Sequence, residues 1–310
     1  MTTTQAEPTT APAKQIVGRS PWQLAWERLR RDRAAMISLA FIILVSLVAA
    51  FAPVFAKVTG HPPNEQYRTI GLSPLGLPRP PSGVFWFGTD DLGRDVLVRV
   101  AYGARISLGV GVGATLLAVV IGVVLGIAAG YFGSLADTII ARLIDVVLSM
   151  PFLLAAVALV AITGPGLTVT IFVIGFFTWA SVARIVRGQV LSVKEREYVE
   201  AARSLGASDI RIMFVDIFPN VLAPVIVYTT LLIPVVIVAQ ATLSFLGLGL
   251  APPTADWGGM IDESRNYYQT SWWYMFFPGM ALVLTTLAFN LFGDGVRDAF
   301  DPRIDRLLQK

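Results

Sequence analysis

Long stretches without charge dominate the pattern of hydrophobic and polar positions along this chain. A charged side chain at the centre of a bilayer costs roughly 2.5–3.5 kcal/mol, so charge-free stretches are candidate membrane spans. A single helix needs about 20 residues to cross the bilayer. Five stretches are long enough: 34–56, 106–136, 146–183, 217–255 and 266–293.

Two of these stretches are too long for one helix. In 146–183, the turn-forming Gly-Pro-Gly sequence at 164–166 predicts a hairpin between two spans. In 217–255, we assign 221–245 as one span and the Gly- and Pro-rich 246–255 as an outer loop or a short re-entrant segment. The pattern therefore predicts six transmembrane helices. A second span within 217–255 is the alternative, and it would place the C-terminus on the other side of the membrane.

The distribution of basic residues predicts the orientation. With the N-terminus inside, 17 of the 24 Lys and Arg residues fall in cytoplasmic segments, so both termini are predicted to be cytoplasmic. The predicted organisation is a cytoplasmic segment 1–33, a first span 34–56, an outer loop 57–105, a five-helix core 106–293 with a cytoplasmic loop 190–219, and a tail 294–310.

A short helix is predicted before the first span, after a Thr-, Ala- and Pro-rich beginning that looks disordered. Ser20 and Gln23 are spaced for a capping box, with Pro21 at the first helical position. We expect this helix to lie along the inner membrane interface, with arginines between Arg28 and Arg33 near lipid phosphates. Its apolar positions follow helical spacing: Trp22, Ala25, Trp26 and Leu29. A signal peptide is the weaker interpretation of the first span, because the charged leader before it is too long.

The composition agrees with a membrane protein. Hydrophobic residues make up 55% of the chain and charged residues 15%, which is more apolar surface than one soluble core of this size can bury. The net charge of +3 is too small to indicate nucleic-acid binding. Cysteine is absent, so thiolate chemistry and disulfides are excluded.

We find no catalytic or metal-binding pattern in the sequence. His61 is interpreted as a solvated loop residue. Asp90, Asp91 and Asp95 do not have the spacing of an EF-hand, so turn formation and salt bridging are favoured over a calcium site. No lysine follows a glycine, which excludes a P-loop and places any ATP and magnesium in another chain.

The cytoplasmic loop between the fourth and fifth predicted spans contains two amphipathic segments. The first is expected to end at Gly206, and Ser208 is placed to cap the second, which Pro219 would end. The apolar face of the first segment is predicted to consist of Tyr198, Ala201, Ala202 and Leu205. That of the second is predicted to consist of Ile210, Met213, Phe214, Ile217 and Phe218. From spacing alone, these segments could simply lie on the membrane surface.

Two blocks of residues resemble known motifs. Glu200-Ala201-Ala202, Gly206 and Ile217-Phe218-Pro219 resemble the EAA motif of ABC importer permeases, in the loop where that family carries it. A second block ahead of the second span is similar to the signature of the C-type permease subunits of dipeptide and oligopeptide importers. It includes Gly88, Thr89, Asp90, Gly93, Arg94, Asp95, Arg99 and Arg105. The resemblance extends over roughly 20–303.

This resemblance implies an all-α, type I importer permease in the cell membrane, without ATPase activity or a cofactor of its own. It implies a homologous second permease, two ATPase subunits and an extracytoplasmic binding protein as partners. Glu200 and Arg203 would make contacts at the rim of an ATPase groove, and Gly206 would provide the bend. Short peptides are the implied cargo, while nickel and glutathione importers share the signature. An ion-coupled transporter or channel is a distant alternative, because the predicted spans carry no charge.

Polar residues within the fifth predicted span are candidates for the translocation pathway. Thr229, Gln240 and Ser244 lie within about 60° of one another on a helix and could face a watery passage. Hydrogen bonding to neighbouring helices is the other use of such groups. The sequence leaves these two roles open.

Overall fold

The computed structural model describes residues 20–301 as a bundle of helices joined by loops, the longest of which lies between Gly71 and Val96. The interpretations of 1–19 and of the last residues of the tail lie outside the described residues. The helices are α1 (Pro21–Arg31), α2 (Arg33–Ala50), α3 (Ala52–Thr59), α4 (Arg68–Gly71), α5 (Val96–Phe132), α6 (Ser134–Ser149), α7 (Phe152–Thr163), α8 (Leu167–Val193), α9 (Glu197–Ser204), α10 (Asp209–Arg211), a π-helical segment (Ile212–Ile217), α11 (Phe218–Phe245), α12 (Trp257–Ser264) and α13 (Trp272–Phe300).

Five helices in 20–301 are long and apolar enough to cross a membrane. They are α2, α5, α8, the continuous helix Asp209–Phe245, and α13. The pair α6 and α7 would be a sixth span only if it is taken as one broken helix, because its two halves meet at 88°. The chain is thus an all-helical, multi-pass membrane protein, and the number six stays a prediction.

The break between α6 and α7 was not predicted. We predicted one span between residue 146 and the Gly-Pro-Gly turn, but the helix stops at Ser149 and restarts at Phe152. Pro151 explains the break, because it lacks a backbone N–H and disfavours helical dihedrals in the preceding residue. Met150 accordingly has an extended ψ of 128°. The predicted hairpin after α7 is present, with Gly164 at a φ of +86°.

Close packing of α5 against α8 forms the centre of the bundle. Gly122, Gly126 and Gly130 lie one turn apart on α5, directly opposite Val182, Val186 and Val190 of α8. A Cβ atom at any of these glycines would come within 2.7 Å of the facing valine. Such small residues let two helix backbones approach closely, which is a common basis of helix association in membranes.

The N-terminal helix packs on the end of α13. Its predicted capping box is confirmed, since the Ser20 hydroxyl accepts from the Gln23 N–H and the Gln23 side chain accepts from the Ser20 N–H. Ala25 and Leu29 are buried in a cluster with α13, while the predicted apolar residues Trp22 and Trp26 stay half exposed.

One arginine of this helix differs from expectation. Arg28 Nη1 donates to the carbonyl oxygens of Ala299 and Asp301, at 3.2 and 3.1 Å, and so caps the end of α13. Carbonyl groups at a helix C-terminus attract cations, which explains why this side chain turns toward protein instead of lipid phosphate. The exposed Arg30 and Arg33 remain candidates for that role.

Several helix and loop boundaries also differ from the prediction. Helix α5 starts at Val96, ten residues earlier than the predicted span, because the Asp95 carboxylate caps it by accepting from the N–H groups of Leu97 and Val98. The segment 246–255 is a loop, which settles that choice against a re-entrant helix. Helix α13 continues to Phe300, so the beginning of the predicted tail is helical.

Candidate functional site

The loop predicted to be cytoplasmic contains α9, and this helix ends where the sequence predicted. Gly206 has a φ of +79°. Its N–H donates to Arg203 O, and the next N–H, of Ala207, reaches back to Ala202 O. These two bonds form a Schellman motif, which needs a residue in the left-handed region at this position. Gly206 therefore sets the direction in which the chain leaves α9.

The predicted apolar face of α9 points outward. Tyr198 is 45% exposed and Leu205 is 88% exposed, and Ala201 is exposed as well. The residue that anchors the helix is Val199, which is fully buried, with Ala202 packed partly beside it. The sequence could have indicated this inner face, because Val199 and Ala202 also have helical spacing.

The second segment is not a separate helix, which corrects the prediction that Pro219 ends it. Asp209 to Phe245 is one continuous helix, and Pro219 lies in the first turn of α11. The π-helical segment just before it explains this outcome. Its wider turns, in which the Phe218 N–H bonds to Met213 O, accommodate a proline that would clash in a regular α-helix.

This loop carries several exposed apolar side chains, which we call the cytoplasmic patch after the predicted side of the membrane. Within the second segment, Met213 and Ile217 are buried and anchor the helix, whereas Ile210 is 69% and Phe214 56% exposed. The charged Glu200 and Arg203 are exposed nearby on α9. The cytoplasmic patch consists of Tyr198, Leu205, Ile210 and Phe214.

Tyr131, at the end of α5, connects the loop to the bundle. Its hydroxyl lies 2.6 Å from Asp209 Oδ1, at the start of the second segment. The guanidinium of Arg203 sits 5.8 Å from the centre of the Tyr131 ring, within the range of a cation–π contact. One side chain of α5 thus touches both halves of the loop. Sequence reasoning missed Tyr131 because its hydrogen-bond partner Asp209 lies 78 residues away in the chain.

On the opposite side of the protein, most residues of the second motif block form a tight turn ahead of α5. Gly88 and Gly93 have φ angles of +75° and +78°. A Cβ at Gly88 would lie 2.6 Å from the Trp273 ring, so glycine is required by both conformation and space. Thr89 is buried, and its hydroxyl donates to Gly71 O at 2.6 Å.

A buried charge cluster, which we call the outer cluster, lies at the centre of this turn. Asp90 Oδ2 is 2.5 Å from Arg94 Nε and 3.3 Å from Arg99 Nε. Both arginines also reach Glu263 Oε2, at 3.1 and 3.2 Å. Burial raises the pKa of the Asp90 carboxyl, and the two guanidinium groups act in the opposite direction. The outer cluster consists of Asp90, Asp91, Arg94, Arg99 and Glu263.

The outer cluster bears on the choice between calcium binding and salt bridging. Carboxylate oxygens of Asp90, Asp91 and Glu263 lie within 4.8 Å of one another, a separation that a cation could bridge. Arg94 and Arg99 already supply two positive charges there. The geometry therefore agrees with the predicted salt bridging and turn formation.

His61 is the clearest correction to the analysis of the outer loop. We expected a solvated side chain, but His61 is only 7% exposed and its Nδ1 lies 2.8 Å from Asp95 Oδ2. The ring also stacks on Phe85 at 4.6 Å between centroids. A buried polar ring needs such partners, and here Asp95 serves both the imidazole and the start of α5. Arg105, by contrast, is exposed and lies over the Tyr102 ring, outside the cluster.

The structure places the predicted pathway residues in α11. Gln240 is fully buried, and its Nε2 donates to Ser244 Oγ at 2.9 Å and to Asp256 Oδ1 at 3.0 Å. Gln240 and Asp256 therefore tie α11 to α12, which is the helix-bonding role that the sequence left open for Gln240, and lining of the passage by Gln240 stays a prediction. Thr229 is partly buried and bonds to Val225 O of its own helix. For Thr229, lining of the passage stays a prediction.

Comparison with known proteins adds a family relationship to this geometry. Residues 122–306 match the family described as binding-protein-dependent transport system inner membrane component, and residues 20–74 match the N-terminal TM domain of oligopeptide transport permease C. The chain is 39% identical to a di/tripeptide transport system permease of Pseudomonas aeruginosa over 95% of this chain and 97% of the relative. It is 41% identical to an oligopeptide transport system permease of Bacillus subtilis, over 92% and 90%.

Proposed function

Because the chain belongs to the family of binding-protein-dependent transport system inner membrane components, we propose that it carries short peptides as one permease subunit of an ATP-driven importer. The relatives named as dipeptide, di/tripeptide and oligopeptide permeases, about 40% identical over most of both chains, support this cargo. Members of the family are membrane components, and separate subunits hydrolyse ATP. The protein is accordingly not an enzyme.

The cytoplasmic patch carries the coupling part of the proposal. Four large apolar side chains point away from the bundle on a loop that is itself anchored by buried Val199, Met213 and Ile217. Several exposed large apolar side chains beside charged residues on one loop are typical of a protein interaction site. In our proposal, this surface docks into a groove of an ATPase subunit, with Glu200 and Arg203 at the rim.

Rigid attachment of the loop supports transmission of force. Docked helices can move the spans only if they are fixed to them, and Tyr131 and the continuous helix Asp209–Phe245 supply that connection. Closure of the ATPase subunits would then rock α5, α8 and α11 as one packed unit. The inward-open and outward-open states would alternate with ATP binding and hydrolysis.

The remaining partners follow from the same architecture. We place both termini and the cytoplasmic patch inside the cell, in agreement with the distribution of basic residues. A homologous permease would complete the passage, and an extracytoplasmic binding protein would dock outside. The outer cluster would brace this outer face, since it connects the beginning of α5 to α12 and α13 through Glu263 and Tyr274.

The test is reconstitution in proteoliposomes. The chain assembled with its paired permease and two ATPase subunits should take up a labelled dipeptide only with binding protein and magnesium-ATP present. The chain alone should neither bind nor hydrolyse ATP. Parallel assays with nickel and glutathione distinguish the cargos. Uptake driven by an ion gradient without ATP, or ATP turnover by the chain alone, would contradict the proposal.

A further inference from the structure

A groove of about 400 Å³ lies at mid-height in the protein, between the α6–α7 break and the middle parts of α8 and α11. Three hydroxyl side chains, those of Thr178, Ser181 and Tyr228, line it among apolar residues. Thr178 and Ser181 are near the centre of the 27-residue α8, and Tyr228 is near the centre of Asp209–Phe245. Since both helices are long enough to cross the bilayer, the groove lies near the membrane midplane.

The helix break opens directly onto this groove. Met150 and Phe152, on either side of Pro151, are both part of its wall. Met150 is 48% exposed and Pro151 is exposed as well. Non-helical backbone at membrane depth is tolerated only where protein covers it or where it lines a water-filled cavity. In the assembled transporter, this exposed break must therefore be covered by the paired permease or line a water-filled passage.

An ion pair lies one turn further toward the cytoplasmic loop. Arg184 Nη2 of α8 is 2.7 Å from Asp145 Oδ1 of α6, and both side chains are 54% exposed. Arg184 is nine residues from the end of α8 at Val193, or about 14 Å along the helix. Asp145 and Arg184 lie immediately outside the two ends of the charge-free stretch 146–183. The pair therefore lies at the cytoplasmic edge of the predicted spans, where the groove would open toward the cytoplasm.

We propose that this midplane groove, defined by Met150, Phe152, Thr178, Ser181 and Tyr228, is this subunit's wall of the substrate path, with Asp145 and Arg184 at its cytoplasmic exit. This inference rests on the proposed function and states where in the chain the cargo passes. It assigns the path to residues other than Gln240 and Ser244.

The chemistry of the groove suits a short zwitterionic peptide. Hydroxyl groups can exchange hydrogen bonds with peptide amides of any sequence, while the apolar wall tolerates diverse side chains. At the exit, Asp145 can pair with the terminal ammonium and Arg184 with the terminal carboxylate. Because both groups are half exposed, their own ion pair is weak, so they can exchange partners without a large barrier.

Cysteine labelling tests the path, because the chain has no cysteine of its own. In the complete reconstituted transporter, Thr178→Cys and Ser181→Cys should react with a charged, water-soluble methanethiosulfonate. Their rates should change at least tenfold between the nucleotide-free and ATP-bound states. Val283→Cys, on the outward apolar side of α13, is the control and should react slowly throughout. If both groove cysteines react as slowly as Val283→Cys in every state, the path assignment is wrong.

Substitution of the ion pair tests the exit. Arg184→Gln should lower uptake of an unmodified dipeptide at least fivefold and lower uptake of its C-terminal amide much less, because only the former presents a carboxylate. Arg142→Gln, a more exposed arginine 4.0 Å from the same Asp145, should change neither. Equal loss for both peptides would refute the exit role.

The two proposals fail in different ways. If the groove cysteines are unreactive in a transporter that takes up dipeptides, the assignment of the path is wrong and the assignment of peptides as the cargo is unaffected. Reactive cysteines with nucleotide-dependent rates, in a transporter that takes up only another cargo, would support the path and overturn the assignment of peptides.

Discussion

The Tyr131 hydroxyl donates a hydrogen bond to the Asp209 carboxylate across 2.6 Å, and this bond joins the C-terminal end of α5 to the loop between α8 and α11. Because Arg203 of α9 also rests on the Tyr131 ring, one side chain positions both parts of the loop. Tyr131 does not belong to the cytoplasmic patch. In our proposal, Tyr131 holds the loop that carries the patch in a fixed position relative to α5.

Tyr131→Phe tests this positioning role. The substitution removes the hydroxyl and keeps the ring, so it should cost about 1 kcal/mol of loop attachment. We expect normal complex formation, faster amide hydrogen exchange over 197–211, and at least a twofold rise in ATP hydrolysed per peptide imported. Asp209→Asn, which keeps an acceptor oxygen, should be milder. An unchanged ratio of ATP to peptide, together with unchanged exchange, would show that the bond is not needed for coupling.

The α5–α8 contact gives a second prediction, on stability. A Cβ at Gly126 would lie 2.7 Å from Val186 Cβ and 2.8 Å from Ala183 O, so the helices would have to separate. Gly126→Ala should therefore destabilise the protein by about 1–3 kcal/mol, measured as a lower unfolding temperature in detergent. Gly109→Ala is the matched control on the same helix, where a Cβ meets open space, and it should be neutral or slightly stabilising. Similar behaviour of both variants would mean that the contact is looser than described.

The outer cluster gives a third prediction, on stability. Arg99 is fully buried and lies beside Asp90 and Glu263, so Arg99→Met would remove one of the two guanidinium groups that neutralise these carboxylates and leave only Arg94. Breaking one side of a buried ion pair costs about 3–5 kcal/mol. We expect low abundance and a strongly reduced unfolding temperature. Arg105→Met, on the exposed side of the same helix, should have wild-type stability. Wild-type abundance of Arg99→Met would show that the cluster does not brace the outer face.

Topology gives a fourth prediction. Single cysteines at Ser192 and Asn266, both exposed, lie at opposite ends of the bundle. With the cytoplasmic loop inside, Ser192→Cys should resist an impermeant maleimide in intact cells, while Asn266→Cys should react. Both should react after permeabilisation, which controls for access. Labelling of Ser192→Cys in intact cells would reverse the proposed orientation.

Local patterns in the sequence predicted local structure well. The capping box at Ser20 and the helix end at Gly206 depend on residues within a few positions, and both formed as expected. The long apolar helices also followed from their composition. These features need no knowledge of how distant segments meet.

Contacts between distant segments were the main source of error. His61 is buried because Asp95, 34 residues away, lies beside it. Glu263 joins the outer cluster across 169 residues from Arg94, and no spacing rule links the two. Pro151 was different, because its helix-breaking effect is local and could have indicated the α6–α7 break. Pro219, in contrast, lies within a continuous helix because a π-helical segment precedes it, and the sequence pattern does not reveal that segment.

Gly206 gives the last prediction, on coupling itself. Its φ of +79° lies in a region that disfavours β-branched side chains, although a Cβ there would meet open space. Gly206→Val should therefore strain the backbone by about 1–2 kcal/mol without any clash, and redirect the chain between α9 and Asp209.

Since the spans are untouched, Gly206→Val should insert and accumulate normally, yet bind the ATPase subunits more weakly and lose most peptide uptake. Gly206→Asn is the control, because asparagine tolerates left-handed dihedrals and should retain most of the uptake. Glu200→Ala should weaken ATPase binding mildly by removing one contact at the rim. If Gly206→Val shows normal uptake in an intact complex, the loop is only a membrane-surface element. Coupling through the cytoplasmic patch would then be wrong.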